Sequence, residues 1–389
     1  MKLFKIHRNN IILLAALFAL TLISCSSDDP IKNRNSAIKK LYTEGVVKIA
    51  AANSFSINTA QMWEGLELAR DKIERENLCP AKIELQKIDD GGDPISGINK
   101  AHEIASQNGV SVVIGHAFSD ITLPCSLIYQ YYGILTMNFI STADNITARN
   151  NPILFSNVPN DEEFGRNLAN VFVAKGFKNI IIYYMDNNPG VSMSNSLELY
   201  CNKQGINIVN RESFDMSIQS VEIDRTIKRW KNNFIFDAVF VTGRMPTIYD
   251  IITIMRNNEI ECPIIGSDSF DDPVLASMLT LSENDKVYAI SNYNPKCETK
   301  EFKEFFDNFV AKYGKEPDQE ALQAYDALIV IAKAIAEADS ALPEDIAQVL
   351  RGKMYSEAAG PYVFTETGAI SGRKLTPKVF RDGEFVNLE

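Results

Sequence analysis

From residue 45 onward, short apolar runs alternate with amphipathic stretches, and the alternation restarts once. Residues 46–50, 110–114 and 134–139 read as strands, and Ile83 with Leu85 marks a further one. Between them Met62, Trp63, Leu66, Ala69 and Ile73 fall at helical spacing, as do Ile98, Ala101, Ile104 and Ala105. Asp89-Asp90-Gly91-Gly92-Asp93-Pro94 breaks the chain between two such units. Strands that alternate with helices specify a parallel sheet covered on both faces. After Asn157-Val158-Pro159-Asn160 the pattern begins again, with a helix over 164–173 and strands at 180–184, 238–241, 264–265 and 287–290. Phe302, Phe305, Phe306 and Phe309 make one packed helix face, and a long helix over 320–338 follows. Residues 362–364, 378–380 and 384–386, divided by glycine turns, read as short strands. The predicted fold class is α/β: two doubly wound parallel-sheet lobes. Ligands of such sheets sit beyond the carboxyl ends of the strands, so two facing edges enclose a cleft.

Ahead of this lies a different kind of segment. Lys2, Lys5 and Arg8 precede an unbroken apolar run, residues 11–23. The run is shorter than the ~20 residues a membrane span needs and suits the hydrophobic region of a secretory signal. Leu22-Ile23-Ser24-Cys25 resembles a bacterial lipobox, with Cys25 as the lipidated first residue after cleavage. Residues 1–24 are thus expected to be a lipoprotein signal peptide. Residues 25–43, polar and weakly patterned, are expected to be a tether. The predicted location is the bacterial cell envelope, facing the periplasm or the cell surface.

The formal charge of −11 argues against a nucleic-acid partner, which calls for a basic patch. Cys79, Cys125, Cys201, Cys262 and Cys297 show no zinc spacing. Five is an odd number, so no complete disulfide set exists and no specific pair is expected. His102 and His116 are the histidines beyond the leader, which makes a histidine-rich metal site unexpected. No phosphate-binding or esterase motif is present. No metal or cofactor is predicted.

Val112-Val113-Ile114-Gly115-His116-Ala117-Phe118-Ser119-Asp120 ends a buried strand on a hydroxyl. This segment, with DDGGDP, GILTMNFISTADNIT, DAVFVTGRMP, CPIIGSDSF and AYDAL in that order, resembles the branched-chain amino-acid type of substrate-binding protein. These type I periplasmic-binding folds serve ABC transporters. The resemblance covers about residues 45–386. It implies that Ser119 and the segment Ile140-Ser141-Thr142 hold a ligand carboxylate, and that Asp268 pairs with its ammonium. Hydroxyls near helix amino termini suit an anion. The same residues also suit plain helix capping and, for Asp268, a turn. Phe118 and Phe55 are placed at the cleft mouth, with Ser56, and Trp63 is assigned to helix packing. His116 is taken as structural.

The chain departs from the family at two places. Pro189 stands where many relatives carry a cleft tyrosine, and Arg244 stands at or near a relative's aromatic. Arg244 reads either as a partner for a second ligand carboxylate or as a solvated charge. Family topology implies a hinge of three segments, near residues 157–160, 291 and 360–361. Residues 44–158 with 292–359 then form lobe I, and 159–291 with 360–389 form lobe II. The function implied is capture of a small amino acid or related carboxylate by a lipid-anchored monomer that delivers it to an ABC permease. A sensory lobe reporting to a membrane signalling partner is the alternative. An enzyme using Ser119, His116 and Asp120 is disfavoured, because nothing in the sequence aligns a base with the hydroxyl.

Overall fold

The computed structural model describes residues 29–57, 60–279 and 286–388. The apolar leader and Cys25 lie outside the described residues. Helix α1 (Pro30–Thr43) opens the described chain, and here the tether expectation is corrected. Asp29 caps α1, accepting from the backbone N–H groups of Ile31 and Lys32 at 3.0 and 3.4 Å. The helix docks through a buried stripe, Arg34 and Ile38. The Arg34 guanidinium donates to the carbonyls of Tyr132 (2.8 Å), Gln107 (2.8 Å), Val110 (3.0 Å) and Ala105. Read along the sequence, one arginine in a polar stretch looks solvated. It is buried because two helix carboxyl ends converge on it, where partial negative charge gathers.

Lobe I continues as β1 (Val46–Asn53), α2 (Met62–Glu76), β2 (Lys82–Asp89), α3 (Pro94–Ala105), β3 (Val110–Gly115), α4 (Ser119–Tyr132), β4 (Leu135–Asn138) and β5 (Leu154–Ser156). The sheet order is β2-β1-β3-β4-β5, all parallel. The central strand β3 is buried along its whole length, which is why it reads as a continuous apolar run.

Lobe II follows with α5 (Asp161–Lys175), β6 (Asn179–Met185), α6 (Asn188–Lys203), β7 (Asn207–Phe214), α7 (Ser220–Asn233), β8 (Ala238–Thr242), α8 (Thr247–Asn257), β9 (Ile264–Gly266), α9 (Pro273–Met278) and β10 (Val287–Ser291). Its parallel strands run β10-β9-β8-β6-β7, and two strands from the end of the chain extend the sheet beyond β10. Taken in their own order, the five parallel strands repeat the second-first-third-fourth-fifth arrangement of lobe I. In both lobes a backbone-to-backbone helix contact is made possible by glycine. A Cβ on Gly165 of α5 would lie 2.6 Å from the backbone of Ser196 in α6. One on Gly65 of α2 would lie 2.2 Å from the carbonyl oxygen of Ala321.

The chain then returns to lobe I as α10 (Lys300–Tyr313), α11 (Gln319–Ala338), α12 (Pro343–Leu350) and a small antiparallel sheet of β11 (Met354–Glu357), β12 (Gly360–Phe364) and β13 (Ile370–Ser371). This moves one expected boundary. The third crossing falls between Ser371 and β14 (Thr376–Arg381), not at Gly360-Pro361. Gly360 instead turns a hairpin, paired with Glu357. Tyr362, Phe364 and Ile370 pack in the lobe I core, Phe364 edge-on to Phe155 at 5.2 Å. Strand β14 and the terminal β15 (Glu384–Asn387) then add antiparallel to β10 in lobe II.

One buried residue, Gln323, ties the three crossings together. Asn157 Nδ2 of the first crossing donates to the Gln323 carbonyl at 3.0 Å. Gln323 Nε2 donates to the Asn292 carbonyl of the second at 3.4 Å. Arg373 Nη1 of the third donates to Gln323 Oε1 at 3.2 Å. Gln323 lies in the first turns of α11, so the hinge is fixed to lobe I.

The docking of α1 by Arg34 is testable. Arg34→Ala removes one charged donor group from four carbonyls and is expected to lower stability by about 3 kcal/mol. Urea unfolding measures this, and hydrogen exchange should show α1 amides losing protection while lobe II amides keep theirs. Unchanged α1 protection would contradict the clamp.

Candidate ligand-binding cleft

The strand order reverses between β1 and β3 in lobe I and between β6 and β8 in lobe II. Those switch points are where α/β sheets open a crevice beyond their carboxyl ends. In lobe I the crevice edge is the turn from β3 into α4. Phe118 is the cap position of α4, and the buried Ser119 is its first residue. Ser119 Oγ accepts from the Ala143 N–H at 3.3 Å, which ties this turn to the loop after β4.

Asn138 shapes that second loop. Its Oδ1 accepts from the N–H groups of Ser141 (2.9 Å) and Ile140 (3.4 Å), and its Nδ2 donates to the Ser141 carbonyl (2.7 Å). The Ser141 hydroxyl donates to the His116 carbonyl at 3.0 Å and meets Thr122 Oγ1 at 2.8 Å. Ser141 is therefore used within lobe I, whereas Thr142 lies at the boundary. The Thr142 carbonyl accepts from the Asp161 N–H at 2.7 Å, at the start of the first helix of lobe II.

Asp161 is the residue the sequence reading missed. Along the sequence it reads, with Glu162 and Glu163, as an acid favoured by a helix amino end. Its carboxylate is fully buried, and among the described residues neither oxygen makes a hydrogen bond of good geometry. Burial pushes its pKa up to about 8; the hydroxyls of Ser192 and Thr142 beside it act in the opposite sense, and Asp144 and Asp268 push it further up. The available signal was its position, directly after the Asn160 cap and the first crossing. Asp268 follows β9 in a single turn of 3-10 helix, capped by Ser267. It keeps some contact with solvent, but enclosure by the protein pushes its pKa up to about 6, against the pull of the Ser267 hydroxyl and Ser269 N–H. Asp268 is close enough to oppose the ionisation of Asp161, and Asp271 opposes that of Asp268.

Arg244, in the loop after β8, reaches across to lobe I. Its Nη2 donates to Asp120 Oδ1 at 2.9 Å, and its guanidinium lies 3.9 Å above the Phe118 ring. Both partners of the ion pair are about one quarter exposed, at 23% each. The solvated-charge reading of Arg244 is thereby set aside: its charge is used between the lobes. On the other flank Asn145 Nδ2 donates to Asn188 Oδ1 at 2.9 Å, and Ser196 Oγ donates to Asp144 Oδ2 at 2.8 Å. The lobes thus meet on both sides of the Ser119, Thr142, Asp161 and Asp268 group. Pro189 sits in the first turn of α6, beside Asn188.

Two residues lie apart from this group. Phe55 packs edge-on against Trp63, with ring centroids 6.3 Å apart, under the Lys87 ammonium at 4.4 Å. His116 is buried, with Nδ1 at 2.7 Å from Asp90 Oδ2 and Nε2 at 3.0 Å from Tyr129 Oη. Both ring nitrogens are occupied, so the imidazole is not a base for Ser119. Among the described residues no cluster suited to a metal ion occurs, and all five cysteines are unpaired.

The raised pKa of Asp161 has a stability consequence with a definite sign. The folded chain holds a proton that the unfolded chain gives up above about pH 4, so this site loses stability as pH rises toward 8. Asp161→Asn is expected to stabilise the ligand-free protein at pH 8 by on the order of 2 kcal/mol, the gain fading toward pH 4. Urea unfolding at the two pH values measures it. An equal gain at both would contradict a buried, reluctantly ionised carboxylate.

The family described as "Periplasmic binding protein" matches residues 51–374. A leucine-, isoleucine-, valine-, threonine- and alanine-binding protein of Pseudomonas aeruginosa is 24% identical over 339 residues, covering 85% of this chain and 88% of that protein. The structure of an ABC transporter substrate-binding protein from Desulfitobacterium hafniense, in complex with Leu, superposes with a TM-score of 0.78 at 28% identity. That match covers 88% of this chain and all of the other (100%). A solute-binding protein of an ABC transporter from R. palustris, in complex with benzoate, shares the fold alone, with a TM-score of 0.76 at 18% identity over 88% of this chain and 96% of that one. With two lobes of matching strand order and three crossings between them, the chain belongs to the periplasmic binding protein family and has the type I fold.

Proposed function

We propose that the chain is a lipid-anchored extracytoplasmic protein that closes on a small α-amino acid and delivers it to an ABC permease. The observation that carries this reading is the charge pattern of the cleft. Among the described residues Asp161 and Asp268 are two enclosed carboxylates without a cation; the Thr142 hydroxyl lies beside Asp161, and the buried Ser119 opens the first turn of α4. A buried carboxylate without a partner is unfavourable, and an ammonium group relieves it. The first turn of α4 with the Ser119 hydroxyl suits a carboxylate, and Thr142 stands where the two ends of the ligand would meet. A ligand that satisfies both ends is a zwitterion with its charges one carbon apart.

Arg244 narrows the side chain. Asp120 already neutralises it, and Phe118 covers one face, so an uncharged ligand side chain fits better than a second carboxylate. Leu in the D. hafniense complex and the amino acids named for the P. aeruginosa protein belong to this class. The benzoate complex of a protein with the same fold shows why fold alone does not choose the ligand. Closure about the hinge delivers the ligand buried between two lobes, in a shape a permease distinguishes from the open form.

A thermal-shift screen of α-amino acids tests the class. A ligand at a hundredfold excess over its dissociation constant adds about 2.7 kcal/mol of stability. With the best ligand, Ser119→Ala, Thr142→Ala and Asp268→Asn are each expected to weaken binding about 10- to 100-fold, by loss of a charge-assisted contact worth about 1.5–3 kcal/mol. Unchanged affinity in all three, by calorimetry, would overturn the site. Binding of a carboxylate lacking any ammonium, as tightly as of its amino analogue, would overturn the zwitterion.

A further inference from the structure

Helix α1 makes a statement about orientation as well as packing. Arg34 binds carbonyls at the carboxyl ends of α3 and α4 and at the start of β3. All lie at the amino-terminal edge of the lobe I sheet, the pole opposite the cleft. The outward face of α1 carries Lys32, Asn33, Ser36, Lys39 and Lys40, all exposed. Residues 30–43 contain four basic side chains and no acid, in a chain whose net charge is −11. Of the acids bordering this face, Asp29 is used as the helix cap, Glu44 stands 4.0 Å from Lys40, and Asp339 accepts the Tyr42 hydroxyl. Tyr131, 67% exposed, lies beside the backbone that Arg34 clamps.

The chain outside the described residues adds a length constraint. Only Ser26, Ser27 and Asp28 separate Cys25 from the Asp29 cap. That stretch reaches about 14 Å even when fully extended. Strand β1 alone, eight residues from pole to cleft, is about 26 Å long.

We infer that the pole of lobe I bearing α1 is a membrane-apposed surface, where Lys32, Lys39 and Lys40 meet anionic lipid headgroups, flanked by Tyr131, and that the cleft points away from the bilayer. The inference rests on the reading of Cys25 as the lipidated residue. The charge complementarity is that of a polybasic face beside an acyl anchor, the second signal that a lipid anchor gains from anionic headgroups. While α1 stays docked, the segment after Cys25 is too short to turn the cleft rims toward the lipid. Hand-over to a permease then requires α1 to leave lobe I, or the permease to rise to the cleft.

The test uses the full chain, expressed in a lipoprotein-processing bacterium and purified in detergent. Intact mass reports whether Cys25 carries acyl chains. The protein is then placed on phosphatidylcholine vesicles with and without phosphatidylglycerol, and its lysines are labelled with an amine-reactive reagent. Lys32, Lys39 and Lys40 are expected to label several-fold more slowly on the anionic vesicles than in micelles, while the exposed Lys228 of lobe II is unchanged. An acylated protein whose α1 lysines label equally in both would overturn the docking and leave the anchor standing. Protection of Lys228 instead would place lobe II against the lipid and also overturn it. Absence of acyl chains on Cys25 would overturn the anchor reading and the inference with it.

Discussion

A carboxylate enclosed by protein without a cation is the constraint on which the cleft turns. Asp161 sits where the first crossing enters lobe II, its N–H spent on Thr142 and its oxygens left without good partners among the described residues. A folded chain tolerates such a group by keeping it protonated. Asp268 nearby makes double ionisation still less favourable. On the proposed function this pair meets the ligand's ammonium, and the enclosure that disfavours the bare charges strengthens that contact.

Closure and enclosure are linked through the hinge. Gln323 holds all three crossings by its backbone carbonyl, its amide N–H and its amide oxygen. These bonds sit where the three segments pass between the lobes, the place where the proposed closure would act with little rearrangement inside either core. At the far side of the cleft the Arg244–Asp120 pair, stacked on Phe118, spans the opening. It is partly exposed, so its contribution is modest and salt-sensitive.

The α/β architecture was legible because its signal is periodic. Continuous apolar strands such as β3 and amphipathic helices such as α10 announce themselves through many residues at once. Ser119, Thr142 and Asp268 were picked out by resemblance, since a hydroxyl or an acid after a strand looks the same whether it caps a helix or meets a ligand. What escaped depended on single long-range contacts. Arg34 reads as a solvated charge until two helix ends converge on it. Asp161 reads as a helix-dipole acid until the other lobe buries it. The Gly360-Pro361 turn resembles a crossing and is a hairpin, because Tyr362 and Phe364 find their partners in the lobe I core. Burial of a lone polar residue carries no period, so sequence spacing does not reveal it.

The most direct measurement of the central claim is the proton balance of binding. The tightest α-amino acid found is titrated by calorimetry at pH 7 in two buffers of different ionisation heat. Asp161, its pKa pushed up to about 8 by burial, holds its proton at that pH and gives it up when the ligand ammonium arrives. The account predicts release of about one proton per ligand at pH 7, vanishing in Asp161→Asn. Binding with no proton released at pH 7 would contradict it.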